Sequence, residues 1–176
     1  LQLKNYHEKL SKESLVGSVG DIHITSSQLL LYCESIIQWV NVQNSAFSPQ
    51  PNGPIIIADI LTELTSFHLP FNAEKGNQII INAEPNLAFS QDPFLIKIIL
   101  HNLLLNANKF TSGGIITINA YKADEWLFLA VSDTGRGMTE EKVAALNSFQ
   151  PLDSNPGTNQ EKGWGLGYTI IMDLLR

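Results

Sequence analysis

The sequence predicts an α+β fold: a two-layer sandwich with helices on one face of a mixed sheet, preceded by a helical hairpin. Three observations carry this expectation. Apolar residues recur at helical spacing over 22–42 and 93–110. Short apolar runs of strand length alternate with the helices, ending in two adjacent strands at 114–122 and 126–132. A stretch rich in Pro, Asn and Ser, NSAFSPQPNGP, separates the first helices from everything that follows.

The first 15 residues read as helical through Leu3, Tyr6 and Leu10, and 17–20, with two glycines, punctuates the chain before the second helix. In that helix Ile22, Leu29, Leu30, Ile36, Ile37 and Val40 recur at near-heptad spacing, the pattern of a helix that packs on a partner. The organisation expected is a partial helical hairpin at 1–45, a linker at 46–53 and a second domain at 54–176. In the second domain PIIIAD supplies a strand, and Asp59 is the expected N-cap of a helix through Leu61, Leu64 and Phe67 towards Glu74, with His68 before an LPF turn. Strands are expected at 78–82 and 86–89. Asp92-Pro93 then opens a helix to Phe110, since Asp caps and Pro suits the first turn. Two strands joined around Ala123-Asp124 follow, and helices at 140–146 and 166–175 flank a polar stretch with Pro and Gly.

Composition bounds the function. With 44% apolar residues in 176 the chain can bury a core, and a net charge of −6, from 11 basic and 17 acidic residues, excludes a broad electrostatic footprint for nucleic acid or an anionic membrane. An anionic ligand must therefore be held by local geometry. The single cysteine, Cys33, forms no internal disulfide, and its flanks LLLYCESII suggest a small buried hydrophobe. No apolar run has the roughly 18 residues that span a bilayer, and no signal peptide opens the chain. The expectation is a cytoplasmic piece of a longer protein, attached to a membrane only through other segments.

Three motifs carry chemistry. In NLLLNANKF, Asn102, Asn106 and Lys109 fall on one helical face and Leu100, Leu103, Leu104 and Ala107 on the other. Such a face is either solvated or a presented polar site; a repeated Asn is an unusual choice for solvation because it is a mediocre helix former. An amide oxygen is a hard neutral ligand suited to Mg²⁺, and a lysine is a point charge for phosphate. The second motif, Asp133-Thr-Gly-Arg-Gly137, follows a strand. It is either a plain turn or an Asp placed to accept from an exocyclic amino group such as that of adenine. The third, Gly163-Trp-Gly-Leu-Gly167, opens the last helix, where glycine-exposed backbone N–H groups bind an anion without net positive charge. It matches neither the P-loop nor the dinucleotide glycine pattern.

Taken in order, the three motifs resemble the Bergerat-fold ATPases, and NLLLNANKFT resembles the N box of sensor histidine kinases. The resemblance covers about 54–176 and, more weakly, 22–42, which is similar to the second helix of the family's dimerisation and phosphoacceptor hairpin. It implies an ATP-binding catalytic domain that transfers the γ-phosphoryl group to a histidine for relay to a response-regulator receiver domain, working as a homodimer. By the same resemblance Asn106 would coordinate Mg²⁺ with Asn102 in support, Lys109 would contact phosphate, and Phe110 would line the nucleotide pocket. Asp133 would bind the adenine amino group beside Gly135 and Gly137. Gly163, Gly165, Leu166 and Gly167 would hold the phosphates and hinge a lid, with Lys162 able to reach a phosphate and Phe149 as the aromatic of the family's F box. In gyrase-like relatives a Glu that activates water stands in place of Asn102; an amide cannot act as that base, which favours phosphoryl transfer over hydrolysis.

None of the four histidines sits in a phosphoacceptor box. His101, beside Asn102, points about 100° away on a helix and reads as packing. A degenerate dimerising module and a hydrolysing ATPase are the rival expectations. Relatives continue past the last helix, so the sheet is expected to lack its last strands.

Overall fold

A computed structural model describes residues 53–150, 157–158 and 166–174, together with 15, 18–20, 22, 26, 29, 30, 33, 36, 37 and 40. The chain divides into two units, Leu1–Ile37 and Gln38–Arg176. All described residues from Leu15 to Val40 are helical. These include Ser18, Val19 and Gly20, which lie in the segment where the glycines suggest a break. Leu15, Val19, Ile22, Leu29, Ile36 and Val40 are exposed, at spacings that alternate between three and four or sum to seven. Cys33 lies on that same stripe and is exposed, where its apolar flanks suggest burial. An apolar run marks a stripe, but burying the stripe takes a second surface. Among the described residues no helix is long and apolar enough to cross a membrane.

The second unit is α+β. Its elements are β1 (Ile55–Ile56), α1 (Ile57–Glu74), β2 (Gln78–Ala83), β3 (Ala88–Phe89), α2 (Pro93–Phe110), β4 (Ile115–Ala123), β5 (Trp126–Asp133), α3 (Glu140–Asn147) and α4 (Leu166–Leu174). Strands β2, β4 and β5 form a mixed sheet in that order, with β2 parallel to β4 and β4 antiparallel to β5. The parallel pair needs a crossover, which β3 and α2 supply. A separate ribbon pairs β1 with β3 through Ile55↔Phe89 and Ile56↔Ala88.

One core joins helices and sheet. Ile57, Ile60, Leu61 and Leu64 of α1, and Ile96, Leu100, Leu104 and Ala107 of α2, recur every three or four residues and pack with Ile116, Ile118 and Ala120, alternate residues of β4. Leu100 and Leu104 are almost wholly enclosed, and burying each contributes about 2 kcal/mol. Helix α4 adds Ile170 and Ile171 and packs on α2.

Local differences from expectation have local causes. Helix α1 starts at Ile57, so Asp59 stands in its first turn rather than capping it, where its charge still meets the positive end of the helix. The LPF segment is helical, with Pro70 inside α1. The helix continues because His68 and Phe71 are buried on its inner face, and the Asn72 amide donates to the His68 carbonyl at 2.7 Å. The strand expected from Asn86 begins only at Ala88, because Asn86 takes a left-handed conformation (φ 59°) in the turn after Pro85.

Candidate functional site

The site is built on α2. The Asp92 carboxylate accepts from the Phe94 amide at 2.9 Å and Pro93 occupies the first turn, so this helix has a well-determined start. Its leucine face is locked in the core, which aims the opposite face, Asn102, Asn106 and Lys109, away from it. Asn102 is buried and its amide nitrogen donates to the Ile98 carbonyl at 2.8 Å, which orients its oxygen. A Cβ on Gly167, in the first turn of α4, would lie 2.6 Å from that oxygen. The first and third motifs therefore meet here, at a distance that only glycine allows. Asn106 is half-buried and makes no side-chain hydrogen bond among the described residues. Its amide thus has free coordination capacity.

At the end of α2 the ring of Phe110 carries two cations, Lys109 Nζ 5.0 Å and Arg136 Cζ 4.6 Å from its centroid. Arg136 belongs to the second motif, which is stitched to the same place. Asp133 Oδ1 accepts from the Gly135 amide at 2.9 Å and from the Thr111 hydroxyl at 3.3 Å. The Arg136 amide donates to the Phe110 carbonyl at 3.3 Å, and the Thr134 amide to the Ile115 carbonyl at 3.0 Å. A Cβ on Gly135 would overlap the Phe110 carbonyl oxygen, so the second motif needs glycine to lie this close to α2. Gly137 needs it for a different reason, a φ of +69°.

Of the residues expected from sequence, the structure brings Asn102 and Gly167 together, and gathers Lys109, Phe110, Asp133 and Gly135 at the C-terminal end of α2. Leu166 begins α4, but its side chain, like Lys162, Gly163 and Gly165, lies outside the described residues. Phe149 stands after α3 with a φ of 57°, half exposed.

Sequence reading missed several residues that hold the site in place. Asn77 donates to Asn108 Oδ1 at 2.8 Å and to the Thr111 carbonyl at 3.0 Å, and accepts from the Gly114 amide at 3.1 Å. This buried amide cluster ties the starts of β2 and β4 to the end of α2. The signal available was a second asparagine in NANKF that falls off the polar face; nothing local pairs it with a residue 31 positions earlier. Arg136 was equally invisible, because its partner ring lies on another element. His101 points away from the asparagine face and is buried against α1, bonded to His68.

A profile of the histidine kinase-, DNA gyrase B- and HSP90-like ATPases matches residues 91–176, which hold all three motifs. Residues 91–176, just under half of the chain, are similar to the ATPase domain of this family. The chain is similar to the autoinducer 2 sensor kinase/phosphatase LuxQ of Vibrio parahaemolyticus, at 26% identity over 96% of this chain and 20% of that protein. It is also similar to the sensor protein GacS of Pseudomonas syringae, at 30% identity over 89% of this chain and 18% of that one. It therefore spans about a fifth of these relatives' length. Among solved structures, full-length ShkA in complex with AMPPNP shares the fold, with a TM-score of 0.63 at 23% identity, over 94% of this chain and 34% of that one.

Proposed function

We propose that this ATPase domain binds ATP with Mg²⁺ and transfers the γ-phosphoryl group to a histidine, which passes it to an aspartate of a response-regulator receiver domain. The observation that carries the reading is the meeting of Asn102 with Gly167, which sets an oriented amide against the glycine-bearing start of a helix. That arrangement suits a phosphate chain in a protein of net charge −6, because neutral amides and a helix N-terminus attract an anion without a basic patch.

Asn106, with no side-chain hydrogen bond of its own among the described residues, fits a Mg²⁺ ligand. Bound there, the ion would neutralise charge on the transferring phosphoryl group. Asn102 supports this shell and Lys109 meets phosphate. Asp133, whose Oδ1 is held by Gly135 and Thr111, presents its second oxygen to the adenine amino group, while Phe110, Gly135 and Gly137 wall the pocket. Lys162, Gly163, Gly165, Leu166 and Gly167 complete the phosphate side. No group on the asparagine face can take a proton from water at neutral pH, so positioning and charge neutralisation supply the catalysis, and transfer is favoured over hydrolysis.

The exposed stripe from Leu15 to Val40 supports homodimerisation through the helical segment at 1–45, with 46–53 as linker to the catalytic domain at 54–176. Since ATP and receiver domains are cytoplasmic, so is this part of the protein. The test is to incubate the chain with γ-labelled ATP, Mg²⁺ and a separately prepared complete phosphoacceptor hairpin. Acid-labile, base-stable label on the hairpin is expected. Absence of nucleotide binding, with Asn106→Ala indistinguishable from wild type, would overturn the reading.

A further inference from the structure

In the second motif the backbone fixes both glycines. Gly135 lies too close to the Phe110 carbonyl to carry a Cβ, and Gly137 has a φ of +69°. Arg136 is the residue between them, so the turn itself decides where its side chain goes. Its amide donates to the Phe110 carbonyl at 3.3 Å, and its guanidinium carbon stands 4.6 Å from the centroid of the Phe110 ring. Backbone and side chain of Arg136 thus both engage the last residue of α2.

A guanidinium is attracted to the π face of a ring and is more weakly hydrated than an ammonium, so it can cover an aromatic surface at little desolvation cost. Phe110 is only half-buried, so the core does not enclose its ring, and the exposed Arg136 supplies the contact that the core does not. The Lys109 ammonium stands 5.0 Å from the same centroid. The two cations are anchored differently. Lys109 shares the polar face of α2 with Asn102 and Asn106, whereas Arg136 shares its turn with Asp133, whose Oδ1 is held by Gly135 and Thr111. In the reading above Lys109 meets phosphate and Asp133 meets the base, which puts Arg136 on the base side of the site.

We propose that Arg136 is a positioning residue that holds the Phe110 ring as a wall of the base pocket, and so sets affinity for the adenosine part of the nucleotide without touching its phosphates. The proposal rests on the ATP-binding reading above. A guanidinium that reached for phosphate would have to leave the ring.

The experiment compares wild type with Arg136→Gln, Arg136→Lys, Phe110→Leu and the Arg136→Gln/Phe110→Leu double variant, all in the whole chain. Affinities for adenosine, ADP and AMPPNP, the last two with Mg²⁺, are measured by calorimetry. Arg136→Gln should weaken all of them by the same factor, about three-fold, the size of one exposed cation–π contact. Arg136→Lys should recover part of the loss, and in the Phe110→Leu background Arg136→Gln should cost nothing further. A loss that grows from adenosine to AMPPNP would put the guanidinium on phosphate and overturn the proposal. Unchanged affinities in Arg136→Gln, or a loss that persists in full in the Phe110→Leu background, would overturn it equally. Thermal unfolding without nucleotide separates this proposal from the reading beneath it: the small destabilisation by Arg136→Gln should vanish in the Phe110→Leu background. If that coupling is present while wild type binds none of the ligands, the ring contact stands but the ATP reading fails, and with it the proposed effect on affinity.

Discussion

Nε2 of His68 and Nδ1 of His101 lie 3.0 Å apart in the interior between α1 and α2, so one imidazole donates to the other. Among the described residues the two outer nitrogens, His68 Nδ1 and His101 Nε2, have no hydrogen-bond partner, and neither does Asn72 Oδ1. Whichever tautomer the pair adopts, one outer nitrogen carries a buried, unpaired N–H, and a further proton would go on the other outer nitrogen, adding a second buried N–H and a charge. Burial pushes His68 down to about 3, with repulsion from His101 adding to it, and burial alone pushes His101 down to about 4.

Stability should therefore fall as pH falls. Both folded-state values lie below the ordinary 6.5, so below that pH the unfolded chain takes up protons that the folded chain refuses. The stability is fully present above pH 6.5 and is lost progressively towards pH 4, on the order of 2 kcal/mol per histidine by pH 5. Urea unfolding from pH 7.5 to 5 would register the slope. Replacing both rings, as His68→Leu/His101→Leu, should flatten it, since an apolar pair leaves no proton to bind and no N–H to strand. An unchanged slope in the double variant would place the titrating groups elsewhere.

Asn106→Ala should separate ligand binding from stability. The side chain makes no hydrogen bond among the described residues, so the change should move unfolding by less than about 0.5 kcal/mol. Nucleotide affinity measured with Mg²⁺ should drop at least ten-fold, and the difference between Mg²⁺ and EDTA conditions should vanish. Persistence of that difference would remove Asn106 from the metal shell.

Gly135→Ala and Gly137→Ala should differ in kind. At 135 the new methyl overlaps the Phe110 carbonyl, backbone that cannot yield, so a cost of about 2–3 kcal/mol and loss of nucleotide binding are expected. At 137 the methyl meets open space but strains a φ of +69°, about 1 kcal/mol. Thermal unfolding of the two variants, side by side, checks the order.

Gly167→Ala tests whether the first and third motifs depend on each other. In a helix Ala is ordinarily favoured over Gly by about 1 kcal/mol. Here its Cβ would lie 2.6 Å from the Asn102 oxygen, so that gain should be cancelled or reversed as the amide is displaced. Affinity for AMPPNP should fall, and pairing Gly167→Ala with Asn102→Ala should recover stability by removing the clash. If both substitutions add independently, the contact has no energetic consequence.

The elements were legible in the sequence wherever a local pattern decides them. Helix α2 runs between the residues that Asp92-Pro93 and the leucine spacing imply, and the β4–β5 hairpin falls within a residue of its expected strands. The two-layer arrangement followed from the order of helices and strands, and the polar face of Asn102, Asn106 and Lys109 from helical spacing alone.

What local pattern could not supply was every partner distant along the chain. Asn77 lies just before β2 and Asn108 on α2, 31 positions apart, and only the fold makes them one cluster. The sequence marks His68 and His101 as separate residues, and only the packing of α1 on α2 makes them a buried pair. Glycines can be counted in a sequence; that Gly135 faces a carbonyl and Gly167 an amide depends on where two other elements stop. Periodicity records which face of an element avoids water, because hydrophobic burial is non-directional and any apolar surface serves. Hydrogen bonds and close contacts are directional and short, so their partners are chosen only once the elements have docked.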